Sequence, residues 1–387
     1  MLIFLITFLS IYGGMHGYAF YRVYGAFPAG QPAMGILSIW MLFMTLAPLL
    51  VRWSENAGMD RLALCIAWPG YVWMGFIFIF VSLLFLSDAV QGTYRLCNVF
   101  FSSSSPTFPT SPITCGFAIL VAVVASGYAC YEARHIRSEQ ITVSSSKLAP
   151  GIHRIRIVQI SDLHIGLLFR EKRLEQVLKV IREAKPDIIV STGDLVDGKL
   201  NREDVISHQD SLAAMLASVP APGGKYAVTG NHESYAGLQQ ALAFTRSAGF
   251  TVLRNRSVQL PDGIIISGVD DQSIPGVIGT HYTTEQGLLE TASKKTFHIL
   301  LKHRPEIPAT SDGFFDLQLS GHVHNGQIFP FNFLVKLKYP ISCGITTTRA
   351  GSRIYVSRGT GTWGPPMRLF AQPEVTLIDI QPSAAGK

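Results

Sequence analysis

The stretch IRIVQISDLH, residues 155–164, decides the fold. Ile155 to Ile160 is a short β-branched apolar run, the signature of a buried strand, and it ends directly in Asp162 and His164. The same arrangement recurs in IIVSTGD at 188–194 and in YAVTGNHE at 226–233. Helical patterns follow: Glu171 to Ala184 and Leu238 to Ala248 carry the apolar spacing of amphipathic helices. Later runs, Ile264 to Gly268, Phe297 to Leu301, Ile354 to Val356 and Val375 to Ile380, have no such regular helical partners. The pattern predicts an α/β layered domain with two mixed β-sheets packed face to face and flanked by helices.

Upstream of this region the composition changes. Residues 1–140 hold six Lys or Arg and five Asp or Glu, leaving 26 basic and 21 acidic residues for the remainder. Four uncharged stretches, 1–21, 33–51, 62–87 and 113–130, are close to or above the ~18 to 20 residues that cross a bilayer, and they predict four transmembrane helices. Gly13, Gly14, His16 and Gly17 dilute the first, which lacks the basic start and cleavage site of a secretory signal. The segment YEARHIRSEQ at 131–140 is expected to continue the last helix out of the bilayer, and the domain boundary is set near residue 140. Residues 1–140 are read as a membrane domain and 141–387 as the catalytic domain.

Arg52, Arg61, Arg134 and Arg137 fall on one side of this topology, and Arg22 and Arg95 on the other. The positive-inside rule then predicts a multi-pass integral membrane protein, of the inner membrane in a bacterium, with a cytoplasmic catalytic half. Cys65, Cys115 and Cys130 sit in spans, Cys97 in a loop and Cys343 alone in the soluble half, so no disulfide framework is expected. The Ser- and Pro-rich connection Phe101 to Pro112 reads as irregular.

Polar blocks follow the apolar runs in order: Asp162-Leu163-His164, Gly193-Asp194, Gly230-Asn231-His232-Glu233, His303, and Gly321-His322-Val323-His324. Residues placed at the carboxyl ends of neighbouring strands converge in space. Carboxylate, carboxamide and imidazole donors without cysteine suit Mn, Fe or Zn, and there are enough of them for two divalent metal ions. Glu233 is expected outside the ligand set.

These five blocks are similar to the calcineurin-like metallophosphoesterase family, whose pattern is D-x-H, G-D, G-N-H-[DE], H and G-H-x-H. Gly326-Gln327 and the stretch YVSRGTGTWGPPMRLFAQPEV at 355–375 resemble its membrane-associated bacterial subfamily. The likeness covers about residues 150–381, and it departs from the family at Lys302 and Arg304 around His303 and at Asn325. The resemblance implies that Asp162, His164 and His324 hold one metal, that Asn231, His303 and His322 hold the other, and that Asp194 bridges them. It leaves His232 free to face substrate, with Asp197, the second acid of the G-D-x-x-D block, orienting its ring.

Two cations about 3.5 to 4 Å apart activate a water and clamp the phosphoryl oxygens during in-line attack, and His232 is placed as the general acid. Anchorage to a bilayer points to a phosphodiester or pyrophosphate of a lipid or lipid-linked substrate. The resemblance suggests UDP-2,3-diacylglucosamine of lipid A biosynthesis. A membrane sensor or transport unit with a phosphoesterase output acting on a soluble phosphate ester is the competing reading, weakened by the absence of charge inside the spans. No nucleic-acid-binding motif is present. The segment IFPFNFLVKLKY at 328–339 is read either as a surface that rests on the membrane or grips an acyl chain, or as a hairpin with its Phe residues packed inward and its Lys residues solvated.

Overall fold

The computed structural model describes residues 2–28, 30–101, 112–198, 212–274, 285–290 and 295–383. The Ser- and Pro-rich connection, at 102–111, lies outside them. The chain divides into two compact units: Met1–Glu132 with Ile328–Pro330 and Gly364–Leu369, and Ala133–Gln327 with Phe331–Trp363 and Phe370–Lys387.

The helical unit contains α1 (Leu2–Ala26), α2 (Gln31–Asn56), α3 (Asp60–Phe101) and α4 (Pro112–Glu132). Among the described residues three helices, α2, α3 and α4, are long and apolar enough to cross a membrane, which corrects the expectation of four. The glycines of α1, together with His16 and Arg22, interrupt its apolar run. These polar groups are buried against α3: the Trp73 indole Nε1 donates to His16 Nε2 at 2.9 Å, and Arg22 pairs with Asp88. The helix α3 runs on through Cys97, placed in a loop by the sequence reading. Its 42 residues extend ~60 Å, about twice a bilayer's apolar thickness.

Two excursions of the chain complete this unit. Ile328, Met367 and Leu369 are buried in the same cluster as Ile77, Phe80 and Ala122. The sulfur of Met367 lies 2.4 Å from where a Cβ on Gly75 would stand, so any larger residue there would oblige the Met367 side chain to move.

The sheet unit contains two six-stranded sheets. The first has the order β1 (Arg137–Ser145), β12 (Glu374–Pro382), β2 (Ile155–Ile160), β3 (Ile188–Ser191), β4 (Lys225–Ala227) and β5 (Thr251–Val252). Strands β2 to β5 run parallel. The second has the order β10 (Gly344–Thr347), β11 (Arg353–Val356), β9 (Leu317–Ser320), β8 (Phe297–Leu301), β7 (Ile264–Gly268) and β6 (Arg256–Gln259). Its central strands β7, β8, β9 and β11 are also parallel.

Side chains from both sheets, among them Ile157, Val190, Ile299, Leu319 and Ile378, form one buried cluster. Each such side chain taken from water contributes ~1.5 to 3 kcal/mol. On the other face of the first sheet lies α5 (Glu171–Ala184), burying Leu174, Val177, Leu178 and Ile181 at helical spacing, with Glu171 in its first turn and Arg182 in its last,. The helices α6 (Asn231–Ala236), α7 (Leu238–Ser247) and α8 (Glu285–Glu290) complete the elements up to β8.

Beyond Glu132, residues 133–140 do not extend α4. That helix ends at Glu132, and Arg137–Ser145 instead forms β1, in parallel register with β12 from Arg137 opposite Glu374 to Ser145 opposite Pro382. Its partner strand lies more than two hundred residues away, so the polar local pattern gave no sign of the pairing. The segment 331–338 is likewise a helix, α9 (Phe331–Lys338), with no buried residue, which removes the hairpin with inward Phe side chains.

Candidate metal centre

All the expected ligands follow strand ends. Asp162 and His164 come after β2, Asp194 after β3, Asn231 and His232 after β4, His303 after β8, and His322 and His324 after β9. Backbone hydrogen bonds knit these loops together: Asp162 N–H donates to the Gly193 carbonyl, His164 N–H to that of Asp194, and Gly361 N–H to that of Asp162, each at 3.0 Å.

The loops are strained. Asp162, His164, Asp194, His322 and His324 all have φ between 48° and 72°, a left-handed backbone that non-glycine residues seldom adopt,. Such conformations persist where the surroundings over-determine them, and they cluster at functional sites. Close approach makes glycine necessary as well: a Cβ on Gly230 would lie 2.2 Å from Asp194 Oδ1.

Two donor clusters result. Asp162, His164 and His324 form one, and Asp194, His303 and His322 the other, with candidate ligand atoms in each lying within 4.8 Å of one another. In the first, His164 Nε2 and His324 Nε2 are 3.1 Å apart, and His324 Nε2 is 3.4 Å from Asp162 Oδ1. In the second, His303 Nε2 lies 3.2 Å from Asp194 Oδ2, 3.3 Å from Asn231 Oδ1 and 3.1 Å from His322 Nδ1. The Asp194 carboxylate lies against His303 of the second cluster, and its charge also acts on Asp162 and His164 in the first.

This crowding fits cations. Two imidazole nitrogens face to face can share at most one proton, whereas two ligands each about 2.1 Å from one ion and roughly at right angles are ~3 Å apart. Burial, then the neighbouring His232, pushes His164 down to about 3; burial, then His303, does the same to His322. Both are therefore neutral imidazoles, the form that binds metal. Burial opposes ionisation of Asp162 and Asp194, yet His324 holds the first below the usual carboxylate range and His303 holds the second well below it. His303 is itself raised to about 10, burial being overcome by Asp194, so positive charge is favoured at this position.

Supporting contacts orient the donors. His303 Nδ1 donates to the Thr192 carbonyl at 2.8 Å, which leaves Nε2 turned toward Asp194 and Asn231,. The Glu233 carboxylate accepts from the backbone N–H groups of Asp194, Leu195, Val196 and Gly230 at 2.7 to 3.2 Å. Glu233 is thus a buried clamp that joins the Asp194 loop to the Asn231 loop. Both unexpected basic neighbours of His303 are neutralised, Lys302 by Glu285 and Arg304 by Asp271, each at 2.7 Å. Asn325 takes φ 49°, a conformation its short polar side chain tolerates,.

His232 belongs to neither of these two clusters, although its ring lies 4.7 Å from that of His164. Its Nδ1 is 3.0 Å from Asp197 Oδ1, and its backbone N–H donates to Asp194 Oδ1 at 2.8 Å. Burial lowers its proton affinity, but Asp197 and Asp194 outweigh that and raise it to about 9. The His232, Asp197 and His164 donor atoms also lie within 4.8 Å of one another.

Two aromatic side chains that sequence reading did not single out flank His232. The Tyr235 ring is 5.4 Å and the Trp363 ring 5.7 Å from it, both edge-on, and both are more than half exposed. Gln327 holds the Trp363 backbone through two hydrogen bonds, at 2.8 and 3.0 Å. Trp363 and Gln327 belong to the stretches that resemble the membrane-associated subfamily, the one signal that pointed toward them.

Paired clusters of carboxylate and imidazole at the carboxyl ends of parallel strands in two mixed sheets, with His232 and Asp197 beside them, suit a metal-dependent phosphoester hydrolase. The comparisons agree: the family model for calcineurin-like phosphoesterases matches residues 155–326. The chain is 40% identical over 264 residues to an uncharacterized metallophosphoesterase of Aquifex aeolicus (strain VF5), covering 68% of this chain and 98% of that protein. It is 35% identical to the uncharacterized metallophosphoesterase YkuE of Bacillus subtilis (strain 168), covering 66% of this chain and 89% of the relative. A relative from Danio rerio, a transmembrane protein with metallophosphoesterase domain, is 29% identical over 68% of this chain and 61% of its own length. The chain belongs to the calcineurin-like metallophosphoesterase family, whose members are phosphoesterases that use divalent metal ions.

Proposed function

We propose that this protein is a membrane-anchored two-metal phosphoesterase acting on a phosphodiester or pyrophosphate of a lipid or lipid-linked substrate. The observation that carries the reading is the pair of donor clusters, Asp162, His164 and His324 beside Asp194, His303 and His322, each compact enough for one ion. Asn231 Oδ1 would complete the second set, and Asp194 would be the carboxylate that holds both ions. Divalent cations held there would lower the pKa of a shared water and clamp the phosphoryl oxygens as charge develops.

The chain's own residues do the rest. With Nδ1 engaged by Asp197, His232 offers its Nε2–H to the leaving oxygen as general acid,. Asp197 positions that ring and stabilises its cationic form. The exposed rings of Tyr235 and Trp363 give the leaving group an apolar surface beside the proton donor. Three helices of membrane-spanning length keep the enzyme at a bilayer, which favours substrates that reside there. By the positive-inside rule the catalytic half faces the cytoplasm.

The deciding experiment uses detergent-purified full-length protein, with Mn²⁺ and after chelation, on UDP-2,3-diacylglucosamine beside a soluble phosphodiester. Metal-dependent turnover that favours the lipid is expected. Turnover of the soluble ester alone would remove the lipid assignment, and turnover unaffected by chelation would remove the metal mechanism.

A further inference from the structure

The helix α9 presents an apolar stripe to the outside. Phe333, Leu334 and Leu337 are 59%, 58% and 83% exposed, whereas Val335 packs against the cluster of Val323, Tyr339, Ile354 and Val356. At 100° per residue the three exposed side chains fall within an arc of roughly 100°, opposite the face of Asn332 and Val335. Lys336 lies beyond one edge of that arc and Lys338 beyond the other, both in the helix's last turn. An apolar stripe bordered on each side by lysine suits a helix lying in the plane of an anionic membrane, its stripe among the upper acyl chains and its lysines at the headgroups.

Two connections give this placement a use. The residues before α9, Ile328–Pro330, belong to the helical unit, and Phe331 follows Pro330 directly in the chain. On the other side α9 is tied to the loop that carries His324: Gly326 lies so close to it that a Cβ there would stand 2.4 Å from the Asn332 nitrogen. We infer that α9 is an interfacial helix that docks onto an anionic bilayer surface and thereby sets the depth at which the His324 side of the site meets that surface. The inference holds whichever phosphoester is cleaved.

The test places the photoreactive residue p-benzoylphenylalanine at position 337 of the full chain, reconstituted into vesicles of phosphatidylcholine with phosphatidylglycerol. The control places it at Lys179 on α5, 74% exposed in the sheet unit. Irradiation is expected to join position 337 to lipid many times more than position 179, with several-fold less adduct when phosphatidylglycerol is omitted. Position 334 repeats the measurement independently, and retained metal content reports that each variant is folded. Equal lipid adducts at 337 and 179, or a protein to protein crosslink in place of the lipid adduct, would overturn the inference. A yield indifferent to phosphatidylglycerol would overturn its anionic character.

Discussion

In the sheet unit Ile157, Val190 and Ile299 are sealed between two sheets, and the outer face of α5 carries Lys179 and Glu183. In the helical unit Ile36, Ile39 and Leu42 point outward at 62% to 71% exposure, while His16 and Arg22 turn inward against α3. The sheet unit also buries polar groups, but differently: its carboxylates and imidazoles face one another across ~3 Å with too few protons to go round, an arrangement that wants cations. Arg22 and Asp88, by contrast, pair charge against charge. The same residue types therefore form a reactive centre in one place and an internal tie in the other, and the partner that each meets decides which.

Asp194→Ala is the substitution that breaks the reactive arrangement most completely. It is expected to lower turnover by at least about 10³-fold with loss of bound metal, measured by elemental analysis beside the assay. His232→Ala sharpens the division of labour: metal content stays at the native level while the rate falls by about 10² to 10⁴. Equal metal loss in the two variants would show that His232 is a ligand and not the acid.

The outward apolar face of the helical unit is tested by Leu42→Lys. A lysine near the centre of a span costs ~3 kcal/mol of insertion, so the variant should accumulate outside the membrane fraction. Unchanged insertion would mean that this face of α2 does not meet lipid.

A smaller effect is expected from Asp379→Asn on β12. Asp379 takes two 2.7 Å hydrogen bonds from the Arg156 guanidinium, and removing its charge should cost the sheet unit ~2 kcal/mol, read as a lower unfolding temperature with metal content intact. Those hydrogen bonds hold its carboxyl below the ordinary value. The wild-type contribution is therefore fully present above about pH 4 and is lost as pH falls through the lower folded-state pKa. A destabilisation that is the same at pH 3 and pH 7 would remove the ion pair as its cause.

Much of this could be read in one dimension. The runs at 155–160, 188–191, 264–268 and 297–301 coincide with β2, β3, β7 and β8, and Glu171–Ala184 with α5, because burial on both faces writes unbroken apolar strands and burial on one face writes a helical stripe,. The candidate ligands were legible for a related reason: each follows an apolar run directly, and parallel strands bring their carboxyl ends together.

Other features were decided only in three dimensions. β1 owes its existence to β12, a partner no local pattern encodes, and polar residues 137–140 become strand because that edge was open. Glu233 became a clamp because four backbone N–H groups of two loops converge on it, and Trp363 reached His232 because Gln327 holds its loop. The sequence by itself determined the family, the apolar helices and the set of polar groups, since these depend on residue type and near spacing. Tertiary structure alone decided which backbone N–H groups meet on Glu233, which rings flank His232 and which face of α9 stays bare, because each depends on distances between residues far apart in the chain.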